Sequence, residues 1–173
     1  MSKENLVDLI LNNYSEFEAQ HSADSNIDIT EADFTGTTIE NADFTNVDFS
    51  GSTFAEANLL NIKFVDCDLT SVDFSRAQIS ECDFSGSILN GTSFNYASVN
   101  YCNFSDADMA GANFSEANLE DSDFSTSENL DSCRFDEGTV WPENEKLPED
   151  FDCTYNYDLS TLRDDEEEGS EAY

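Results

Sequence analysis

An all-β solenoid, a chain wound as a square coil of twenty residues per turn, is the fold this sequence predicts, on three observations. The first is an apolar side chain at every fifth position from Ile29 to Phe124, without a slip. The second is a small or medium-sized residue two places before each, as at Ala32, Ala42, Val47, Ala57, Cys67, Ala77, Cys82, Cys102, Ala112 and Ala117. The third is a longer period of twenty. Phe34, Phe54, Phe74, Phe94 and Phe114 form one row, and Phe44, Phe64, Phe84, Phe104 and Phe124 form another. The other two rows are almost wholly aliphatic: Ile39, Leu59, Ile79, Val99, Leu119, and Ile29, Phe49, Leu69, Leu89, Met109. A helix repeats its face every 3.6 residues and a strand every two, so neither explains a period of five. A chain that turns a corner every five residues does, and four corners close the coil. Like then stacks on like, filling the interior with aromatic and aliphatic ladders.

The elements follow in chain order. Residues 1–25 hold a capping helix and its linker. Within them residues 2–20 read as amphipathic, with Leu6, Leu9, Ile10, Tyr14 and Phe17 on one face. Ser2 is placed to act as its N-cap. This helix is expected to be the lid on the first coil, because an open solenoid end would stack without limit. The coil itself is expected over residues 26–140, with one residue inserted near Glu128. Its register resumes at Leu130, Phe135 and Val140, with Cys133 in the small inward place. Pro142 and Pro148 interrupt regular structure in residues 141–163. There Trp141, Leu147, Phe151, Tyr155 and Tyr157 supply a C-terminal cap or a dimerisation face. Residues 164–173 are an acidic run expected to be disordered.

The repeating units A-D-F-S-x and A-N-L-x-x resemble the pentapeptide repeat, without a break over residues 26–126. The resemblance implies a right-handed quadrilateral parallel β-helix. The best understood members of that family imitate duplex DNA and bind DNA gyrase or topoisomerase IV. In those members the C-terminal end commonly mediates a homodimer, so the resemblance implies a possible homodimer through that end here, beside the cap reading. No loop interrupts this coil, so it is similar to the loopless members.

Charge is the second informative feature. The chain has 39 acidic residues against 6 basic, a formal net charge of -33. Residues 26–126 carry 18 acids opposed only by Lys63 and Arg76. Five coils of parallel strands stack to about 24 Å. Duplex DNA carries roughly 14 charges over that length. The two linear charge densities nearly coincide. The residue before each central apolar one gives a ladder of Asp28, Asp48, Asp68 and Asp108. A second ladder runs through Asp33 and Asp73, and a third through Asp43, Asp83 and Asp123. The fourth row, Thr38, Asn58, Gln78, Ser98 and Asn118, is neutral. Nine of the 18 coil acids therefore occupy a place where the repeat itself favours Asp or Asn. Beyond that place stand Glu31, Glu40, Glu56, Asp66, Glu81, Asp106, Glu116, Glu120 and Asp121.

These features favour a DNA mimic that occupies the basic groove of a DNA-processing enzyme and inhibits or protects it. Gyrase or another topoisomerase, or a restriction or defence nuclease, would be the target. The acidic surface expected to bind comprises the three ladders together with Glu31, Glu56, Asp106 and Glu116. A non-catalytic scaffold for a regulatory or structural protein is the alternative, with Tyr96 and Tyr101 as outward anchors. Halophilic adaptation fits poorly with 17 Asn, 5 Cys and 14 Phe. Catalysis is not expected. His21 is the only histidine, the coil leaves no room for a pocket, and no metal or cofactor pattern is present. Direct nucleic-acid binding is excluded by charge, since phosphate contacts need Lys and Arg. With no apolar run of about 20 residues and no secretory leader, the chain reads as cytoplasmic. Four of its five cysteines, Cys67, Cys82, Cys102 and Cys133, read as small hydrophobes of a reduced core.

Overall fold

The computed structural model describes residues 3–21 and 27–153 of the chain. Residues 27–147 wind as a right-handed quadrilateral β-helix, whose four sides are named here by their first outward residues, Asp28, Asp33, Thr38 and Asp43. Each side stacks in parallel register on the next coil, twenty residues on. Asp28 pairs with Asp48, Asp33 with Thr53, and Asp43 with Lys63. Only the Thr38 side is extended enough to form strands: β1 (Thr38–Glu40), β2 (Asn58–Leu60), β3 (Gln78–Ser80) and β4 (Ser98–Asn100). They make one parallel sheet in sequence order.

The five-residue unit explains itself through its hydrogen bonds. The central residue donates to the coil ahead, as Phe54 N–H does to Asp73 O (2.7 Å). The residue before it donates back, as Thr53 N–H does to Ala32 O (2.9 Å). Between these bonds the chain turns. Phe54 O accepts Ala57 N–H (3.0 Å) across a turn whose third residue, Glu56, has φ 59°. Such left-handed residues recur every five positions and suit Gly and Asn, yet Arg76, Tyr96 and Glu116 also occupy them. The ladder on both neighbouring coils holds them there.

Every central side chain from Ile29 to Phe124 is buried. Phe54, Phe74, Phe94 and Phe114 stack at 5.1–5.2 Å between ring centres. The opposite Phe row meets them edge-on, as Phe74 meets Phe84 at 5.9 Å and 85°. Stacked and edge-to-face pairs are the two favoured aromatic geometries, so both axes of the core are satisfied together. At the small inward place hydroxyls satisfy carbonyls of the coil before, as Ser52 Oγ does Ile29 O (2.8 Å) and Thr92 Oγ1 does Leu69 O (2.7 Å). Cys67, Cys82, Cys102 and Cys133 lie there as free, buried thiols. Burial pushes the Cys67 and Cys133 thiols up to about 12.

The lid is two helices instead of one, α1 (Lys3–Asn12) and α2 (Tyr14–His21), parted at Asn13. Asn13 N–H still bonds Leu9 O (2.8 Å), while its side chain bonds Glu16 (3.0 Å) and its carbonyl starts the second helix. An Asn at such a break favours a new N-terminus over helix continuation. Ser2 lies outside the described residues. The expected apolar face does turn inward: Ile10 and Phe17 are buried, and Leu6, Leu9 and Tyr14 pack against the core. Phe17 meets Phe44 edge-on at 5.7 Å. The Tyr14 hydroxyl accepts Asp43 N–H and donates to Asp43 O. It thus replaces both partners that a preceding coil would have given Asp43. Removing residues 1–20 is therefore expected to expose the first coil and cause concentration-dependent light scattering. A soluble, folded monomer would show that the helices are not a lid.

At the far end the coil runs past residue 140, and the inserted residues number three. Met109 N–H bonds Glu128 O, Phe114 bonds Arg134, Leu119 bonds Val140 and Phe124 bonds Lys146, so the spacing grows by one at each side. Asn129 bulges out at φ 58° and Leu130 takes the core place. Val140 does not point inward as expected. It pairs with Asn118 in the outward row and is 48% exposed, and Trp141 takes the central place. Leu147 fills the fourth side of this sixth coil. Phe151 closes over it, 5.1 Å from Trp141 and 5.9 Å from Phe135. Trp141, Leu147 and Phe151 thus pack against the core at this end of the coil. Tyr155, Tyr157 and residues 164–173 lie outside the described residues.

Candidate functional site: the acidic side of the rod

The outward Asp of each unit has a local task. Its Oδ1 accepts the N–H two residues on: Asp28 from Thr30 (3.0 Å), Asp48 from Ser50 (2.9 Å), Asp68 from Thr70 (2.9 Å) and Asp108 from Ala110 (3.2 Å). Asn103, Asn113 and Asn118 make the same bond at their own turns. The bond needs an oxygen and not a charge, which explains why Asp and Asn alternate there. Charge at this place is therefore free to serve something else.

The structure separates the three expected ladders. Asp33 and Asp73 are divided by Thr53, and their row ends in Ser93, Asn113 and Arg134. Asp43, Asp83 and Asp123 are divided by Lys63 and Asn103. Lys63 binds Asp43 at 3.1 Å, and the Asn103 amide donates to Asp83 (3.1 Å). Burial alone would raise the Asp43 carboxyl, yet Thr45 and the Lys63 ammonium bring it below the ordinary range. Glu56 and Glu116 stand on a different edge, in the same corner row as Arg76 and Tyr96.

The Asp28 side is unlike the others. Asp28, Asp48 and Asp68 stack directly, Ile88 follows, and Asp108 and Glu128 complete the row. Asp66 and Asp106 line the corner before it and Glu31 the corner after it. None of its residues is Lys or Arg. Like charges one strand apart repel by about 1 kcal/mol per pair even in water. The side keeps this repulsion although Asn would make the same turn bond. Glu128 escapes the sequence reading because the insertion falls after it. Counting twenty from Asp108 would have found it.

At Asp108 the Asn129 amide (2.7 Å) outweighs partial burial, and with the Ala110 N–H and Asn90 amide it holds the carboxyl below its usual value. A depressed pKa gives stability that is present above the ordinary Asp value of about 3.9 and lost as pH falls through the folded one. Urea midpoints measured from neutral pH down to about pH 2.5 should fall further for wild type than for Asp108→Asn, which keeps the acceptor and has no proton to bind. Parallel curves would refute the assignment.

Comparison with known proteins now decides the family. The family model described as a pentapeptide repeat region matches residues 61–135, and the one for pentapeptide repeats in eight copies matches residues 25–51. The chain belongs to the pentapeptide-repeat family. Among curated protein sequences none matches it. Of solved structures, the pentapeptide repeat protein Rfr23 from the cyanobacterium Cyanothece 51142 is 19% identical, with a TM-score of 0.65 over 75% of this chain and 97% of that one. Full-length QnrB1, a plasmid-mediated fluoroquinolone resistance protein, is 17% identical with a TM-score of 0.44, over 73% of this chain and 86% of that one. A pentapeptide repeat protein of the Arabidopsis thaliana thylakoid lumen is 28% identical with a TM-score of 0.31, over 62% and 71%. The likeness to Rfr23 shows the shared fold. Among the described residues no helix is long and apolar enough to cross a membrane.

Proposed function

We propose that this pentapeptide-repeat protein is a DNA mimic that lies in the DNA-binding groove of a DNA-processing enzyme and so inhibits or protects it. The target would be gyrase or another topoisomerase, or a restriction or defence nuclease. One observation carries the reading: the Asp28 side stacks acids that the fold does not require, and none of its own residues is Lys or Arg. Many weak charges in a row steer a basic groove over a Debye length, where any single exposed pair contributes little. The rigid aromatic core holds those charges in place, so little ordering entropy is lost on binding. Duplex DNA should displace the protein from such an enzyme, and rising salt should release it steeply.

A scaffold for another kind of protein is the second reading. Tyr96 and Tyr101, 53% and 64% exposed, flank the Thr38 side, whose central outward row alone is uncharged. Both already have partners within the chain. Arg76 lies 5.1 Å from the Tyr96 ring centre, and interaction with the Asp121 carboxylate raises the Tyr101 phenol above its ordinary value. A scaffold contact there would be mainly apolar and tolerant of salt, which separates the two readings in the same displacement experiment.

A further inference from the structure

Of the twenty residues that precede a central side chain between Asp28 and Asp123, Ile88 alone is apolar. It pairs with Asp68 on one coil and Asp108 on the next, and is 42% exposed. A single exposed aliphatic needs no explanation on most surfaces. This one forgoes a local bond, because Ile88 has no oxygen to offer Asn90 N–H as Asp68 offers Thr70 N–H. Its surroundings are also cleared. The preceding corner is Gly86, at φ 66°, where a Cβ would run into the Asp66 carboxylate. Asp66 therefore lies over that corner, and the following corner is Gly91. Ile88 becomes an apolar knob between two glycine corners, with acids along the axis on both sides.

We infer that Ile88 is the apolar anchor of the acidic side, and that the partner is a basic DNA-binding groove with an apolar side chain at its centre. This rests on the DNA-mimic reading and narrows the class of enzyme. Interface energy concentrates in a central desolvated contact ringed by polar groups that exclude water, which is the arrangement of Ile88 within Asp66, Asp68 and Asp108. Proteins that bend DNA place apolar wedges between base steps, flanked by Lys and Arg on the phosphates. A mimic of such a track needs an apolar break in its anionic row where the wedge arrives. A groove that reads phosphates alone would favour a sixth acid instead.

Three variants test this, with gyrase and a restriction endonuclease as probes and displacement of labelled duplex DNA as readout. Ile88→Ser, a residue the same place carries at Ser93 and Ser98, should weaken binding about tenfold with an unchanged salt slope. Ile88→Asp completes the acid row, and should also weaken binding although it adds charge. Replacing Asp28, Asp48, Asp68 and Asp108 by Asn reports on the mimic reading itself. If that replacement weakens binding while Ile88→Asp tightens it, or Ile88→Ser leaves it unchanged, the mimic stands and the anchor is overturned. If wild type displaces duplex DNA from neither enzyme, or the fourfold change has no effect, both fall. Circular dichroism of each variant should match wild type, since all the changes lie on the surface.

Discussion

Phe74→Asp should leave the protein without a cooperative unfolding transition. Phe74 is fully buried in the third of six coils. It stacks on Phe54 at 5.2 Å and Phe94 at 5.1 Å, and meets Phe64 and Phe84 edge-on at 5.9 Å. Removing the ring alone costs about 3–5 kcal/mol. An ionised carboxylate with no partner in that place adds several more. Together these approach the whole stability of an ordinary domain, about 5–15 kcal/mol. A solenoid holds together through nearest-neighbour interfaces, and about three repeats are needed before a stack is stable. A defect in the third coil leaves neither flank much longer than that. Ser75→Asp, one residue on at a half-buried outward place, should unfold within about 0.5 kcal/mol of wild type. Far-UV circular dichroism through a urea titration distinguishes the two. A cooperative Phe74→Asp transition near the wild-type midpoint would contradict the packing described above.

What the sequence made legible was whatever repeats without interruption. The inward rows could be read because burial selects apolar residues at every fifth place, and the structure buries each of them. The sixth coil was only partly legible. Three single-residue insertions after Glu128 dissolve a period of five, while the hydrogen bonds continue by bulging Asn129 and lengthening each side. Val140 was misplaced for that reason. The left-handed corners were hidden as well. Glu31, Arg76 and Tyr96 adopt φ near 58° because the ladder imposes it, against their own preference. The acidic site was half legible. Counting by twenties aligned Asp28, Asp48 and Asp68, but the Asx turns that every outward Asp makes could not be told from a binding role until the N–H partners were seen.

Those turns also make the charge experiment clean. Changing Asp28, Asp48, Asp68 and Asp108 together to Asn removes four charges and keeps each Oδ1 acceptor, as Asn103 and Asn113 already demonstrate. Relief of repulsion among Asp28, Asp48 and Asp68 should offset the lost stabilisation of the Asp108 carboxylate and hold the melting temperature near that of wild type, so lost binding cannot be blamed on lost fold. Each exposed charge pair is worth about 0.2–1 kcal/mol. Four should therefore cost about 2–3 kcal/mol, roughly a hundredfold in affinity, with a shallower dependence on salt. The control removes as many charges from other sides: Asp33, Asp73, Asp83 and Asp123 to Asn, with the same turns preserved. If net charge alone drives association, the two variants weaken equally. If the Asp28 row itself is what the groove reads, the first loses far more than the second. Binding that survives the first change, resists salt and ignores competing duplex would eliminate the mimic and leave the tyrosine-flanked Thr38 side as the working surface.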